Sequence, residues 1–121
     1  MAEWIYFVHP PRDNFRATLD DEERAVFDAH VEYLLHLYAN GKLILSGPTL
    51  GTTNTGIIVI EADDEAAAAQ IMNDDPAISS GLTQGELRPF LAALLRGRDH
   101  SSVPVFDTET RHNGSPASVT V

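Results

Sequence analysis

The sequence predicts one α+β domain in which a four-stranded antiparallel sheet carries two helices on one face. Three observations lead to this prediction. Short runs of aromatic and β-branched residues indicate strands, capped segments with apolar stripes indicate helices, and these segments follow one another as β-α-β-β-α-β. That order is the split βαβ, ferredoxin-like arrangement.

The first strand and the first helix have the clearest signals. Residues 4–8 (WIYFV) predict a strand, which the two prolines that follow cannot continue. The helix is predicted over about residues 21–40, with Asp20 as its cap, Glu23 bonding back to the cap and Gly41 at its end. Its apolar residues recur every three or four positions, as in a core-facing stripe: Val26, Phe27, Val31, Tyr33, Leu34, Leu37 and Tyr38.

The second and third strands form a hairpin. Residues 42–46 (KLILS) and 56–62 (GIIVIEA) are separated by a segment rich in Gly, Thr and Asn. The first and third strands are apolar on both sides, whereas an antiparallel sheet with one wet face alternates with polar residues. Something other than water must therefore cover the second face, and a second copy of the chain is the simplest cover. This pattern predicts a homodimer.

The second helix is short and rich in alanine. Asp63 is its predicted cap, and it runs from Asp64 to about Asn73 before Pro76, since a proline pushes the preceding residue out of the helical region. After a loop, residues 84–94 predict the last strand. Pro89 favours an edge position for that strand, and its LAALL end is equally compatible with a helix.

The chain changes composition after its folded part. Residues 97–121 are rich in Ser, Thr, Pro, Asn and Gly and show no helical period. Two short apolar pieces, 103–106 and 119–121, favour docking. We expect residues 1–96 to form the domain and residues 97–121 to form a tail that is disordered or lies on a partner subunit.

Composition and charge exclude several classes of function. The 121 residues include 43% hydrophobic residues, and 8 Lys and Arg against 18 Asp and Glu give a net charge of −10. Such a surface repels phosphates and the cations are scattered, so we expect no nucleic-acid partner and no membrane partner. The opening segment MAEWIYFVHPPRD lacks the pattern of a signal peptide, and no stretch approaches the ~20 apolar residues of a membrane span. The expected location is the cytoplasm.

The absence of several motifs excludes further classes of catalytic and cofactor site. The absence of cysteine excludes a disulfide framework, a thiolate zinc site, an iron–sulfur cluster and a cysteine nucleophile. The glycines form neither G-x-G-x-x-G nor a P-loop, and there is no G-x-S-x-G elbow. The five histidines include neither H-x-H nor H-E-x-x-H. We therefore expect neither a metal nor an organic cofactor.

Two residues break local rules and are the candidates for catalysis. His30 lies on the apolar stripe of the first helix, where a polar ring needs a partner. Asp75 adds negative charge at the C-terminal end of the second helix, against the helix dipole. The two helices of a ferredoxin-like unit run antiparallel, which brings Asp75 toward His30. A carboxylate there lets a histidine act as general base or acid near neutral pH.

Each of the two has a structural alternative. His30 can be a core histidine whose hydrogen bonds are satisfied. Asp75 can cap the turn that follows it, with Pro76 in the first helical position.

Three further residues are candidates for binding the substrate. Ser46 ends the second strand and can direct its hydroxyl into the same cleft, the alternative being an ordinary strand-end turn. Arg24 and Arg88 can hold an anionic substrate, the alternative being surface pairing with Asp or Glu. His36 lies on the opposite, polar face of the first helix, where we expect it to be solvated.

The segments around these residues resemble a known family. HVEYLLHLYANGKLILSGP followed by DDPAISSGLTQGELRPF resembles the YciI-like (YCII-related domain) family, over about residues 4–92. The resemblance implies ferredoxin-like subunits whose sheets pack together as a dimeric α/β barrel. It implies a His–Asp active site at His30 and Asp75, with Ser46 in the same cleft. Many members carry an arginine three residues before the histidine, where this chain has Phe27, and Arg24 is the candidate substitute.

The resemblance also implies a class of reaction. A relative in this family catalyses dehydrochlorination of a chlorinated hydroxyhydroquinone. This implies a cofactor-independent lyase. Together with the pairing of His30 and Asp75, it leads us to expect proton transfer, in an elimination or an isomerisation, on a small cyclic or aromatic oxygenated molecule. The alternatives are a non-catalytic module for ligand binding or assembly, and cofactor-free oxygenation as in related α/β-barrel proteins.

Overall fold

The computed structural model describes residues 2–97, and the predicted order of elements is confirmed with one added helix. Residues up to Leu91 form one compact unit, and residues 92–97, at the start of a second unit, contain neither helix nor strand. Most of the predicted tail lies outside the described residues. The elements in chain order are β1 (Ala2–His9), a 3₁₀ turn (Phe15–Ala17), α1 (Asp21–Ala39), β2 (Leu43–Pro48), β3 (Gly56–Ala62), α2 (Glu65–Asp74), α3 (Pro76–Ser79) and β4 (Gln84–Phe90).

The four strands form a single sheet in the order β2-β3-β1-β4, and every neighbouring pair is antiparallel. Tyr6 of the central strand β1 lies opposite Ile58 of β3 and opposite Leu87 of β4. The ferredoxin-like α+β fold predicted from the order of elements is therefore confirmed.

The start and end of α1 follow the predicted signals. The side chain of Asp20 accepts a hydrogen bond from the backbone N–H of Glu23 at 2.8 Å, and the Glu23 carboxylate accepts one from the N–H of Asp20 at 3.0 Å. At the other end Gly41 has a φ of 75°, which glycine adopts without a steric cost. Both ends of α1 are thus set by local sequence.

The core lies between the sheet and the helices. It contains Tyr6 and Val8 from β1, whose side chains share one face because they are two residues apart. Ile58 and Ile60 of β3 face the same side, and Ala77 of α3 is fully buried against them. This small core packs α1 and α2 onto one side of the sheet.

The opposite face of the sheet is apolar along its two central strands. Ile5 and Phe7 of β1 pair with Val59 and Ile57 of β3, so these four side chains share that face. Val59 is buried and the other three are half-buried. The two-sided apolar character expected of the central strands is therefore observed.

Several boundaries differ from the sequence prediction; β1, for example, spans Ala2–His9 and not residues 4–8. Asp64, not Asp63, caps α2, since its side chain accepts from the N–H of Ala67 at 2.9 Å. β2 continues through Pro48, which the end of an edge strand tolerates because no ladder bond is lost. Residues 91–95, the LAALL segment, form neither strand nor helix.

A short helix occupies part of the predicted loop after Asp75. In α3, Pro76 takes the first helical position, and the Asp75 side chain accepts from the N–H of Ala77 at 2.9 Å. The loop prediction for residues 77–79 was wrong, because this cap and proline together start a new helical turn. None of the helices in residues 2–97 has the length and hydrophobicity needed to cross a membrane.

Candidate active site

The predicted pair of His30 and Asp75 forms at the junction of three helices. His30 lies on the buried side of α1, and Asp75 lies between α2 and α3. The distance from Nδ1 of His30 to Oδ1 of Asp75 is 2.7 Å, which is hydrogen-bond length. His30 is 8% exposed and Asp75 is fully buried. The antiparallel packing of the helices therefore brings these residues together.

The carboxylate of Asp75 accepts three hydrogen bonds. Oδ1 accepts from His30 and from the backbone N–H of Ala77, and Oδ2 accepts from the hydroxyl of Tyr6 at 2.7 Å. Asp75 thus caps α3, as its structural alternative predicts, and also contacts His30, as expected of the pair. The side chain is held from the sheet, from α1 and from its own backbone.

This arrangement assigns the proton on the His30 ring. A carboxylate surrounded by donors only accepts, so Nδ1 of His30 carries the hydrogen and donates it. The neutral ring then has a free lone pair on Nε2. Burial, followed by the charge of Asp75, raises the pKa of Tyr6 far above its ordinary value, so Tyr6 remains a donor.

A cleft of about 540 Å³ adjoins this pair, and His30 forms part of its wall. The wall is mostly apolar, and its polar side chains among the described residues are Arg16, His30, Tyr38, Ser46, Asn54 and Thr83. The ring of Phe27 lies 5.0 Å from that of His30, and Phe15 packs edge-on against Phe27 at 5.4 Å. Asp75 is not part of the wall, so it can act on a bound molecule only through His30.

The structure brings only some of the predicted binding residues to this cleft. Ser46 lines it together with His30. Arg24 is outside the lining and donates to the carbonyl of Leu19 at 3.4 Å. Arg88 is also outside, on β4, where it pairs with Glu86 at 2.7 Å.

His36 is exposed, as expected, and lies 3.5 Å from Glu32 on the outer face of α1. Residues 2–97 contain no group of three or more His, Asp or Glu side chains arranged to hold a metal ion.

Two residues at the site were not identified from the sequence. Tyr6 had a usable signal, since its inward position in β1 buries its hydroxyl, and a buried hydroxyl needs a partner. Arg16 had no such signal, because it lies in the irregular connector between β1 and α1. Its place at the cleft depends on how that connector folds.

Comparisons with known proteins agree with this fold. The model of the YCII-related domain family matches residues 5–91. A similar solved structure is the 5-chloro-2-hydroxyhydroquinone dehydrochlorinase TftG from Burkholderia phenoliruptrix AC1100, in complex with 2,5-dihydroxybenzoquinone. It is 22% identical, with a TM-score of 0.57 over 75% of this chain and 94% of that one. At this identity the likeness shows a shared fold.

No curated protein matches the chain in sequence. The family match nevertheless covers β1 from Ile5 onward and every later element through β4. It includes both His30 and Asp75. The chain belongs to the YCII-related domain family.

Proposed function

We propose that the protein is a small cofactor-independent enzyme that uses His30 for proton transfer on a cyclic or aromatic oxygenated molecule. The observation that carries this proposal is the 2.7 Å contact between buried Asp75 and a histidine in the wall of an apolar cleft. A histidine oriented by a carboxylate has the form of a general base or acid.

In an elimination, Nε2 of His30 removes a proton from the substrate. The electrons of that C–H bond form the new double bond, and the leaving group departs with the electron pair of its own bond. The ring of His30 becomes an imidazolium, which the Asp75 carboxylate stabilises from the other nitrogen. In an isomerisation, the same proton returns to another atom of the substrate. Neither route needs a further reactant.

The cleft fits a single-ring substrate. Its volume of about 540 Å³ lies within the ~300–1,000 Å³ range of small-molecule sites. Phe27 and Phe15 provide an apolar wall beside His30, and the hydroxyl of Ser46 can donate to a substrate oxygen. The dehydrochlorinase named above acts on a hydroxyhydroquinone, which supports a lyase reaction on a similar ring.

The decisive variant is His30→Gln, with His36→Gln as its matched control on the exposed face of the same helix. Turnover would be screened with hydroxylated and halogenated ring compounds and with oxygenated cyclohexadienones. We expect His30→Gln to lower kcat/KM by about 100-fold or more and His36→Gln to leave it unchanged. Equal turnover in His30→Gln and the parent would remove His30 from catalysis.

If the protein is instead a non-catalytic binding module, we expect another result. In that case a structure with a bound ligand would show no reactive atom near Nε2 of His30, and no compound in the panel would be consumed. Oxygen consumption with a compound of the panel would instead indicate cofactor-free oxygenation.

We also propose that the protein is a homodimer. The support is the apolar sheet face formed by Ile5, Phe7, Ile57 and Val59, where a half-buried aromatic and two isoleucines gain from burial against a second copy. A stable association needs about 1,000 Å² of buried surface or more.

A further inference from the structure

We propose that Arg16 binds a carboxylate group of the substrate, so that the cleft accepts a small ring compound bearing a carboxylate. This inference rests on the proposed function, because only that function makes the bound molecule a substrate. The binding of a carboxylate at Arg16 can be tested without turnover.

The charge inside the cleft supports this role. The chain carries a net charge of −10, yet the described residues that line the cleft include no Asp or Glu. Arg16 is the cation among these lining residues, apart from the titratable His30. An anion can therefore enter this cleft without meeting a carboxylate in its wall.

The guanidinium of Arg16 is available for a ligand. Within residues 2–97 its side chain makes no hydrogen bond and no ion pair, and only its backbone N–H is bonded. Other arginines have partners: Arg12 binds Glu23, Arg88 binds Glu86 and Arg24 donates to a carbonyl. Arg16 thus keeps its full set of donors for a bound anion.

The backbone that carries Arg16 is held from two sides. On one side the N–H of Asn14 donates to the carbonyl of Thr52 at 2.7 Å, and the N–H of Arg16 donates to the Asn54 side chain at 3.1 Å. On the other side Phe15 is buried and packs against Phe27. The 3₁₀ turn is therefore tied both to the loop between β2 and β3 and to the wall beside His30.

The type of anchor indicates the type of ligand. A guanidinium matches a carboxylate through two parallel hydrogen bonds, and an apolar wall strengthens such a bond by excluding water. Phe27, in contact with both Phe15 and His30, offers a surface for the ring of the same molecule. A ring carboxylate can thus contact Arg16 and present its ring near His30.

The test measures binding of two isosteric probes, benzoate and benzamide, by titration calorimetry at low ionic strength. We expect the parent protein to bind benzoate about tenfold more tightly than benzamide, because benzoate gains one charged hydrogen-bonded contact. Arg16→Gln removes this preference. Arg24→Gln, which deletes the same charge outside the lining, retains it. High salt weakens the binding of benzoate and leaves that of benzamide unchanged.

Three outcomes with the parent protein and the two arginine variants would overturn the proposal. They are no detectable binding of benzoate by the parent protein at millimolar concentration, a preference that persists in Arg16→Gln, and a preference lost in Arg24→Gln. Because Arg16 is exposed, its variant should keep the Tm of the parent, which thermal unfolding checks.

The His30→Gln variant separates this inference from the proposed function. If His30→Gln still binds benzoate more tightly than benzamide, the anion site lies at Arg16, whether or not turnover is lost. If this preference disappears in His30→Gln, the positive charge that binds benzoate belongs to the histidine. That result contradicts the role of Arg16. Turnover retained in His30→Gln counts against the catalytic proposal alone.

Discussion

Tyr6 in the central strand and His30 in the first helix bind the two different oxygens of one buried carboxylate, each at 2.7 Å. The sheet and the helix layer are joined through this group, Asp75. Its third bond, from the N–H of Ala77, fixes it to the start of α3. The orientation of the His30 ring therefore depends on a hydroxyl in the sheet that does not line the cleft.

Tyr6→Phe tests this dependence. The variant keeps the ring in the core but leaves Oδ2 of Asp75 without its donor, which costs about 1–3 kcal/mol of unfolding free energy. As a positioning residue, Tyr6 should affect kcat more than KM, and the ¹⁵N shifts of His30 should show a less uniform Nδ1–H tautomer. Urea unfolding, steady-state kinetics and NMR measure these effects.

Tyr33→Phe is the matched control for Tyr6→Phe. The hydroxyl of Tyr33 donates to the carbonyl of Ile71 at 2.8 Å, so its loss also removes a tertiary hydrogen bond but leaves the three hydrogen bonds of Asp75 in place. We expect it to lower stability without changing the His30 tautomer. Identical ¹⁵N shifts of His30 in both variants would show that Tyr6 serves stability alone.

Asp75→Asn separates the charge of the carboxylate from its shape. The amide oxygen can still accept from the N–H of Ala77 and from Nδ1 of His30, so the cap of α3 and the fold should persist. The imidazolium of the proposed mechanism then lacks its counter-charge, and we expect kcat/KM to fall by about 100-fold or more. Steady-state kinetics of the variant measure the loss of activity, and circular dichroism checks that the fold persists.

The neighbouring Asp74→Asn is the control, because Asp74 is exposed and its side chain bonds only to Gln70 among the described residues. Its activity should equal that of the parent. Equal activity in Asp75→Asn and Asp74→Asn would return Asp75 to a purely structural role.

The cap of α1 should make stability depend on pH in the acid range. Hydrogen bonds from Arg12, and next from the backbone of Asp20, lower the pKa of Glu23 to about 2 from an ordinary 4.5. A lowered folded-state pKa stabilises the fold above the unfolded value, and this contribution is lost as the pH falls from about 4.5 to about 2. Glu23→Gln can keep the capping bonds but lacks the charge.

The Tm of the parent should therefore exceed that of Glu23→Gln at pH 6, and the difference should close by about pH 2. Thermal unfolding of both proteins across this range measures it. A difference that is constant with pH would mean that the ion pair of Arg12 and Glu23 contributes nothing in solution.

The proposed dimer predicts twice the mass of one chain in sedimentation at micromolar concentration. Phe7→Glu places a charge on the apolar sheet face and should shift the protein to a monomer, since burying an unpaired charge is costly. Leu50→Glu, at an exposed loop position, should remain dimeric. A parent protein that sediments as a monomer contradicts the homodimer, and a dimer unaffected by Phe7→Glu places the interface on another surface.

The sequence by itself determined the order of elements and the limits of α1. A capping box, an apolar stripe and a terminal glycine act through residues no more than a few positions apart, so α1 formed where these signals predict it. His30 and Asp75 also stood out locally, because one placed a polar ring in an apolar stripe and the other placed a charge against a helix dipole.

The order of elements already predicted that Asp75 meets His30, but only the tertiary structure showed that Tyr6 binds the same carboxylate. Tyr6 is 69 residues from Asp75 in the chain, and a hydrophobic period defines a buried face without naming its neighbours. The same holds for Arg16. Its position at the cleft follows from how an irregular connector packs through Phe15 and Asn14, and no periodic pattern in the sequence encodes that packing.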